Sequence, residues 1–243
     1  MLFILLLLLL WEIATWGTGI EQWILPPPSV VIQTLWETRD LLFTHIGPTL
    51  MATFAGLSIA IIVAVTIATL TDVAYWIRQT IYPPLVISQT IPIIALAPLF
   101  MIWFGYGLLP KIIVVALVCF FPITISLADG YRQVDPSMLR LLRSMGASRW
   151  QQFKMVKLPG ALPSFFSGLR IAGTYSVMGA VIGEWLGASK GLGVFMTRSS
   201  QSFQTDRVFA AIIVVVLLSL TIFLLIEVCA RLTMSWHYQA KKK

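Results

Sequence analysis

Apolar runs long enough to cross a bilayer dominate this chain, and they constrain its fold more than any other feature. Of the 243 residues, 58% are hydrophobic and only 11% are charged, whereas a soluble domain carries roughly 25% charged residues. Lipid offers no partner for backbone N–H and C=O groups, so such runs fold as helices. The sequence therefore predicts an all-α integral membrane protein, with a single domain over residues 1–243.

Six apolar runs are predicted as spans, because each is near the ~20 residues that cross ~30 Å of hydrocarbon. They cover residues 2–18, 49–71, 84–104, 111–128, 164–186 and 208–231. The first run also has the apolar core of a signal peptide, but it lacks a positive leading segment and a good cleavage site. We favour a retained, short first helix; a start truncated relative to the natural gene is the alternative.

Two segments carry unusual proline patterns. Between the first two spans, Pro26, Pro27 and Pro28 predict an extended turn, and residues 30–43 then predict a helix lying on the membrane surface. Four prolines, at positions 83, 84, 92 and 98, lie in or directly before the third span, around a polar cluster at residues 88–90. Because proline removes a backbone donor and bends a helix, we predict that this span lines the interior of the protein. Plain packing of a kinked helix explains the pattern equally well.

Lysine and arginine predict the orientation. An even number of spans puts both termini on one side, and 12 of the 17 Lys and Arg residues then share that side. The other side holds the remaining 5, namely Arg39, Lys111, Lys190, Arg198 and Arg207. Cytoplasmic loops carry the excess of these residues, so both termini and the long polar loop at residues 129–163 are predicted to be cytoplasmic.

That polar loop carries the signals of two short helices. Asp135-Pro136 suits an N-cap followed by the first helical residue, and Gly146 suits the position just after a helix. Ser148 and Gln151 match a capping box, which predicts a second helix as far as about Lys157, before a proline. A loop that only reversed the chain would not need such caps.

Three interpretations of the loop stay open from the residues alone. It is a docking surface for another protein, a basic helix on anionic lipid, or a purely topological loop. A DNA-binding helix-turn-helix is disfavoured because membrane spans enclose the unit on both sides, so no nucleic-acid partner is expected.

The loop also resembles the cytoplasmic signature of binding-protein-dependent ABC importer permeases. Gly146, nine residues, and then Val156-Lys157-Leu158-Pro159 match the glycine and the Leu-Pro frame of that signature. The Glu-Ala-Ala positions of the signature are Arg140-Leu141-Leu142 here, so the small residues of that part are absent. The proline turn at residues 25–28, residues 89–99 and 103–107, and the Gly-Leu-Gly at residues 191–193 are similar to the same family.

The resemblance implies a permease fold of type I ABC importers, in a bacterial cytoplasmic (inner) membrane. It implies a homodimer, a cytoplasmic ABC ATPase dimer and an extracytoplasmic substrate-binding protein as partners. The chain has no Gly-rich loop ending in Gly-Lys-Ser or Gly-Lys-Thr, so ATP and Mg are expected on the separate ATPase, with no catalytic residue, metal or cofactor in this chain. The residues implied to dock the ATPase are Arg140, Leu141, Leu142, Met145, Gly146, Ala147, Ser148, Arg149, Trp150, Leu158 and Pro159.

Within that family, residues 165–176 and 183–189 resemble permeases for pyrimidine precursors of thiamine, in a branch that also serves sulfonates, taurine and nitrate. Riboflavin is a further alternative, and a secondary transporter or an intramembrane hydrolase is the alternative from another class. Polar or flexible side chains in the third and fifth spans are predicted to line the solute pathway. These residues are Ser88, Gln89, Thr90, Thr174, Tyr175, Ser176, Met178 and Glu184.

Overall fold

A computed structural model describes residues 2–73, 75–185 and 188–236, and the described chain is helical along most of its length. Its helices, in chain order, are α1 (Leu2–Gly17), α2 (Pro28–Glu37), α3 (Arg39–Val73), α4 (Tyr75–Ser88), α5 (Ile93–Phe104), α6 (Leu108–Arg132), α7 (Pro136–Ser144), α8 (Arg149–Gln152), α9 (Leu158–Glu184), α10 (Leu192–Gln201) and α11 (Thr205–Thr233). A π-helical turn, Phe153–Lys157, joins α8 to α9.

Small residues let the long helices α3, α6, α9 and α11 pack closely. A Cβ added to Gly168 in α9 would lie 2.5 Å from the main-chain oxygen of Pro122 in α6. One added to Gly173 would lie 2.4 Å from Cδ1 of Ile226 in α11. Lipid tails are as apolar as the side chains, so helices in a membrane associate through such close packing rather than through hydrophobic burial.

Four of the described helical segments are long and apolar enough to span a membrane: α3, α6, α11 and the continuous run Arg149–Glu184. The chain is thus an all-α integral membrane protein. α1 has 16 residues, about 24 Å at 1.5 Å per residue, so a first span at residues 2–18 stays a prediction. The surface helix predicted at residues 30–43 is divided at Thr38, which is the C-cap of α2 and directly precedes α3.

The third predicted span, residues 84–104, is sharply bent, in line with the bend predicted from its prolines, and its crossing of the membrane as one span stays a prediction. α4 and α5 meet at a bend of 100° across residues 89–92. Pro92 is the N-cap of α5, with φ −62° and ψ 115°, where a missing N–H costs nothing. Pro83, Pro84 and Pro98 lie inside helices. The proline-rich sequence therefore breaks the span at one proline of four and sets a non-helical turn in the membrane.

The chain does not stop its helix before Pro159, contrary to the sequence prediction. The π-helical turn carries the backbone from α8 directly into α9, so that helical structure runs from Arg149 to Glu184. Pro159 falls in the first turn of α9. The wider i→i+5 turn ahead of it changes the backbone pairing at the position where proline lacks an N–H.

Candidate functional site

The start of the polar loop is built as its residues predict. Pro136 is the first residue of α7, and the Asp135 carboxylate accepts a hydrogen bond from the Ser137 N–H at 2.8 Å. Hydrogen bonding to Ser137 holds the pKa of the Asp135 carboxyl below its ordinary value. An anionic cap at this end also suits the positive end of the helix dipole.

Gly146 forms the joint between α7 and α8. Its N–H donates to Arg143 O, and the Ala147 N–H donates to Leu142 O, each at 3.0 Å, which is the Schellman pattern. Gly146 has φ +82°, and a Cβ built on it would meet nothing within 4 Å. The prediction of a glycine after the helix is confirmed. Within the subunit, glycine is required here because the backbone is left-handed, and not because a neighbouring atom leaves no room for a side chain.

The second half of the joint is capped and anchored. The Ser148 and Gln151 side chains complete the capping box predicted for α8. Gln152, which the sequence did not single out, is buried, and its Nε2 donates to Ala147 O at 2.9 Å. Nothing in the local pattern separates Gln152 from its neighbour Gln151, so this anchor was missed.

The joint presents an apolar surface bordered by cations. Leu141, Met145 and Trp150 are 61%, 73% and 69% exposed. The nearby arginines, Arg140, Arg143 and Arg149, are also exposed. An exposed apolar patch with a charged rim marks an interaction site. Nine of the predicted docking residues lie in the segment 140–150, which we call the docking segment, and Leu158 and Pro159 lie beyond the π-helical turn, at the start of α9. Contact of these residues with an ATPase stays a prediction.

A partly buried ion pair ties the π-helical turn that follows the docking segment to the end of α3. Lys157 Nζ lies 2.7 Å from both carboxylate oxygens of Asp72, near the end of α3, with side-chain exposures of 25% and 13%. Removing one member of such a pair leaves a charge in a poorly solvated place. Asp72 was also missed from the sequence, because its partner lies 85 residues away.

The broken span creates an open cleft between the α4–α5 bend, α6 and α9. Its volume is about 480 Å³, and Ser88 and Gln89 from the α4–α5 bend face Tyr175 and Met178 of α9 across it. The other lining residues are Ile91, Pro92, Ile93, Leu117, Val118, Phe121, Pro122 and Ile171. No lining residue is acidic or basic. Four of the predicted pathway residues therefore meet in one place.

The remaining predicted pathway residues lie elsewhere. Thr90 and Thr174 are exposed, and their hydroxyls donate to the main chain of their own segments, at Ile87 O and Arg170 O. Ser176 is fully buried, and its hydroxyl donates to Gly173 O at 2.6 Å. Ser176 does not line this cleft, and its place in the solute pathway stays a prediction.

Glu184 is corrected, from a pathway or interface residue to a buried cap. It is 1% exposed, and its carboxylate accepts from the Thr49 hydroxyl at 2.9 Å and from the Gly193 N–H at 2.8 Å. A Cβ on Gly191 would lie 2.2 Å from the Glu184 carboxyl carbon. Glu184 therefore caps the N-terminus of α10 and leaves room for glycine alone beside it.

Three further bonds hold the same stretch of main chain. Each joins one buried side chain to one backbone atom: Thr49 Oγ1 to the Leu192 N–H at 2.9 Å, His45 Nδ1 to the Gly191 N–H at 3.0 Å, and Lys111 Nζ to Lys190 O at 3.3 Å. Together with Glu184, these side chains form what we call the loop clamp. His45, for which the sequence indicated no role, thus belongs to a structural network that fixes residues 190–193.

The spanning helices, the docking segment and the cleft define a membrane-embedded transport subunit. The chain belongs to the family of binding-protein-dependent transport system inner membrane components, whose profile matches residues 56–234. It is accordingly a multi-pass permease of the inner membrane and the permease subunit of an ABC importer.

Several permeases resemble it along nearly all of its length. The formylaminopyrimidine transport permease protein ThiX of Halalkalibacterium halodurans is 39% identical over 97% of this chain and 94% of the relative. The riboflavin transport system permease protein RibX of Chloroflexus aurantiacus is 34% identical over 96% and 88%. The taurine transport system permease protein TauC of Escherichia coli is 29% identical over 96% and 86%.

Solved structures share the fold at low identity. A chain of the MetNI methionine ABC transporter, in an inward-facing conformation, superposes with a TM-score of 0.70 at 20% identity, over 80% of this chain and 97% of that one. A chain of an amino acid ABC transporter with histidines gives 0.63 at 17% identity, over 84% and 97%. These likenesses support the type I importer permease fold.

Proposed function

We propose that this permease carries a small, uncharged heteroaromatic solute, of the class of pyrimidine precursors of thiamine, through the cleft at the broken span. The observation that carries the proposal is the composition of the cleft. Aromatic and aliphatic side chains with one hydroxyl, Ser88, one amide, Gln89, and one phenol, Tyr175, line its 480 Å³. Such a lining suits a flat ring with a few hydrogen-bonding atoms.

The lining also disfavours the anionic alternatives within the family. A sulfonate or nitrate passing through an apolar part of the membrane needs cationic or densely donating partners. The lining of the cleft contains no cationic side chain, and its side-chain donors are those of Ser88, Gln89 and Tyr175. The relatives named for formylaminopyrimidine and riboflavin, at 39% and 34% identity, both handle heteroaromatic solutes. The taurine relative is less similar, at 29%.

In this proposal, the docking segment couples ATP hydrolysis by a separate ATPase to solute transport. Its exposed apolar residues and cationic rim suit a groove on a separate ATPase dimer, which would bind ATP and Mg and hydrolyse the nucleotide. Helical structure continues from Arg149 to Glu184, so a movement of the docking segment is passed along α9 to Tyr175 in the cleft. The solute is delivered on the opposite side by a binding protein.

Two further parts belong to the proposal. A second copy of the chain faces the first across the pathway and completes the cleft. The docking segment and both termini lie in the cytoplasm, as the distribution of Lys and Arg indicates. In that orientation the start of α3, the start of α6 and the loop clamp lie on the extracytoplasmic side.

The test is ATP-dependent uptake into proteoliposomes that contain the permease, its ATPase and its binding protein. Labelled formylaminopyrimidine should be taken up, and taurine should neither compete nor be carried. Tyr175→Phe, which keeps the ring, should retain most uptake, and Tyr175→Ala should reduce it strongly. Ser176→Ala is the matched control, since Ser176 is next in sequence and buried away from the cleft. Uptake of taurine, or equal uptake by both Tyr175 variants, would refute the assignment.

A further inference from the structure

A second recess lies at the opposite end of the bundle from the docking segment. Its volume is about 470 Å³, and it opens between the start of α3, the turn before α6 and residues 188–190. Pro48, Met51 and Leu108 give it apolar walls, and Tyr106 beside it is 81% exposed. The recess is thus separate from the cleft at the broken span, with which it shares no lining residue.

Hydrogen bonds to the main chain at and after Lys190 fix one end of the wall formed by residues 188–190. The loop clamp bonds the main chain of the residues that follow, from Lys190 to Gly193, to side chains of α3, α6 and α9. An interface that is already ordered loses less conformational freedom on binding than a mobile loop does. The clamp therefore presents this wall as a preformed surface.

The recess carries positive charge. Lys111 and Lys190 both line it; Lys111 is only 6% exposed, whereas Lys190 is exposed. An ammonium group has three N–H donors, and Lys111 Nζ donates one to Lys190 O at 3.3 Å. Glu184 attracts Lys111, but its carboxylate is already bonded by Thr49 and Gly193. A carboxylate entering the recess would meet two lysines between apolar walls.

We propose that this recess receives an acidic side chain, carried on a surface loop, of the extracytoplasmic binding protein. The inference rests on the proposed orientation and on the delivery of solute by that protein. Exposed tyrosine, apolar walls and a desolvated cation are the features of an interface anchor. Charge complementarity of this kind raises the association rate and sets the docking register. Lys190 is the exposed contact, and Lys111 is the buried one.

The experiment measures ATPase activity of the permease–ATPase complex in nanodiscs as the importer's own binding protein is titrated. Lys190→Gln and Tyr106→Ala should each raise the binding-protein concentration for half-maximal stimulation by about tenfold, as the loss of a well-placed anchor does. Lys190→Arg should stay near wild type. Activity without binding protein should not change. Arg39→Gln is the matched control, because it removes an exposed cation on the same side outside the recess.

The salt dependence of stimulation by the binding protein distinguishes loss of a charged contact from a change in the permease structure. Raising ionic strength should weaken stimulation of wild type and of Arg39→Gln, and Lys190→Gln should show a smaller salt dependence. If wild type and Lys190→Gln have the same half-maximal binding-protein concentration and the same salt dependence, the proposed role of the recess is refuted. The proposed importer function would not be affected by that result. A disulfide between two copies through Ser189→Cys would also overturn the proposed role of the recess, by assigning the recess to the permease pair. Failure of the binding protein to stimulate wild type would refute both proposals.

Discussion

Substitutions at Gly146 separate two roles of the joint in the docking segment. Gly146 has φ +82°, and a Cβ at this position would have no atom within 4 Å. Its replacement therefore costs backbone energy alone within the subunit, about 1–2 kcal/mol for most residues in a left-handed conformation. Since ~1.4 kcal/mol is tenfold, Gly146→Ala should reduce the correctly shaped joint by roughly 5- to 30-fold. Asparagine tolerates this conformation, so Gly146→Asn should cost much less.

The assay is ATP-coupled uptake by the full importer, with the amount of permease in the membrane measured in parallel. If the left-handed backbone conformation is what the joint requires, uptake should fall in the order glycine, asparagine, alanine, valine at position 146. The amount of permease in the membrane should stay the same in all four proteins. If the joint instead needs space for a partner, the smaller alanine should be tolerated better than asparagine. Uptake by Gly146→Ala that equals wild type, or exceeds that of Gly146→Asn, would refute the backbone argument.

Three further outcomes are expected. Gly168→Ala should destabilise the protein by an overpacking cost of about 1–3 kcal/mol, because its Cβ would lie 2.5 Å from a carbonyl oxygen of α6. The melting temperature of the detergent-solubilised protein should fall accordingly. Gly47→Ala, where nothing lies within 4 Å of the added Cβ, should leave the melting temperature unchanged. Asp72→Asn should uncouple ATP hydrolysis from uptake by leaving Lys157 unpaired in a partly buried place, and a double variant with Lys157→Met should recover part of the loss. The lowered pKa of Asp135 means that its cap stabilises α7 above the unfolded aspartate pKa and that this stabilisation is lost as the pH falls through the folded value. The protection of α7 amides from hydrogen exchange, measured relative to the intrinsic rate at each pH, should therefore fall at acid pH in wild type and stay level in Asp135→Asn.

The ends of the loop helices were predictable because the signals are local. Asp135, Gly146 and Ser148 act on backbone groups one to five residues away, and each does what its position indicates. Hydrogen bonds of this kind form with little help from the rest of the fold, so single-sequence rules capture them. The docking segment is accordingly the part of the site that the sequence describes best.

The interior was harder to predict because its partners are distant and its helix faces look alike. Tyr175 and Ser176 are neighbours, yet one lines the cleft and the other is buried. A helix with apolar residues on all sides does not reveal which face meets which neighbour. Thr49 and Glu184 are 135 residues apart, and no local pattern announces their contact.

The prolines show the same limit. Four of them suggested a bent third span, but the break falls at Pro92, while Pro98 lies within α5 and is tolerated. Each proline removes one backbone hydrogen-bond donor, so local chemistry alone does not indicate which proline ends a helix. Packing of α5 against α6 and the turn at residues 89–92 decide which one becomes an end, and that information is tertiary.

The lengths of α4 and α5 affect how the chain enters the membrane during synthesis. They contain 14 and 12 residues, about 21 Å and 18 Å at 1.5 Å per residue, so neither half crosses ~30 Å of hydrocarbon alone. The insertion machinery must therefore accept residues 75–104 together. A nascent chain arrested between the two halves would hold only a partial crossing, and its topology would not be set until α5 had left the ribosome.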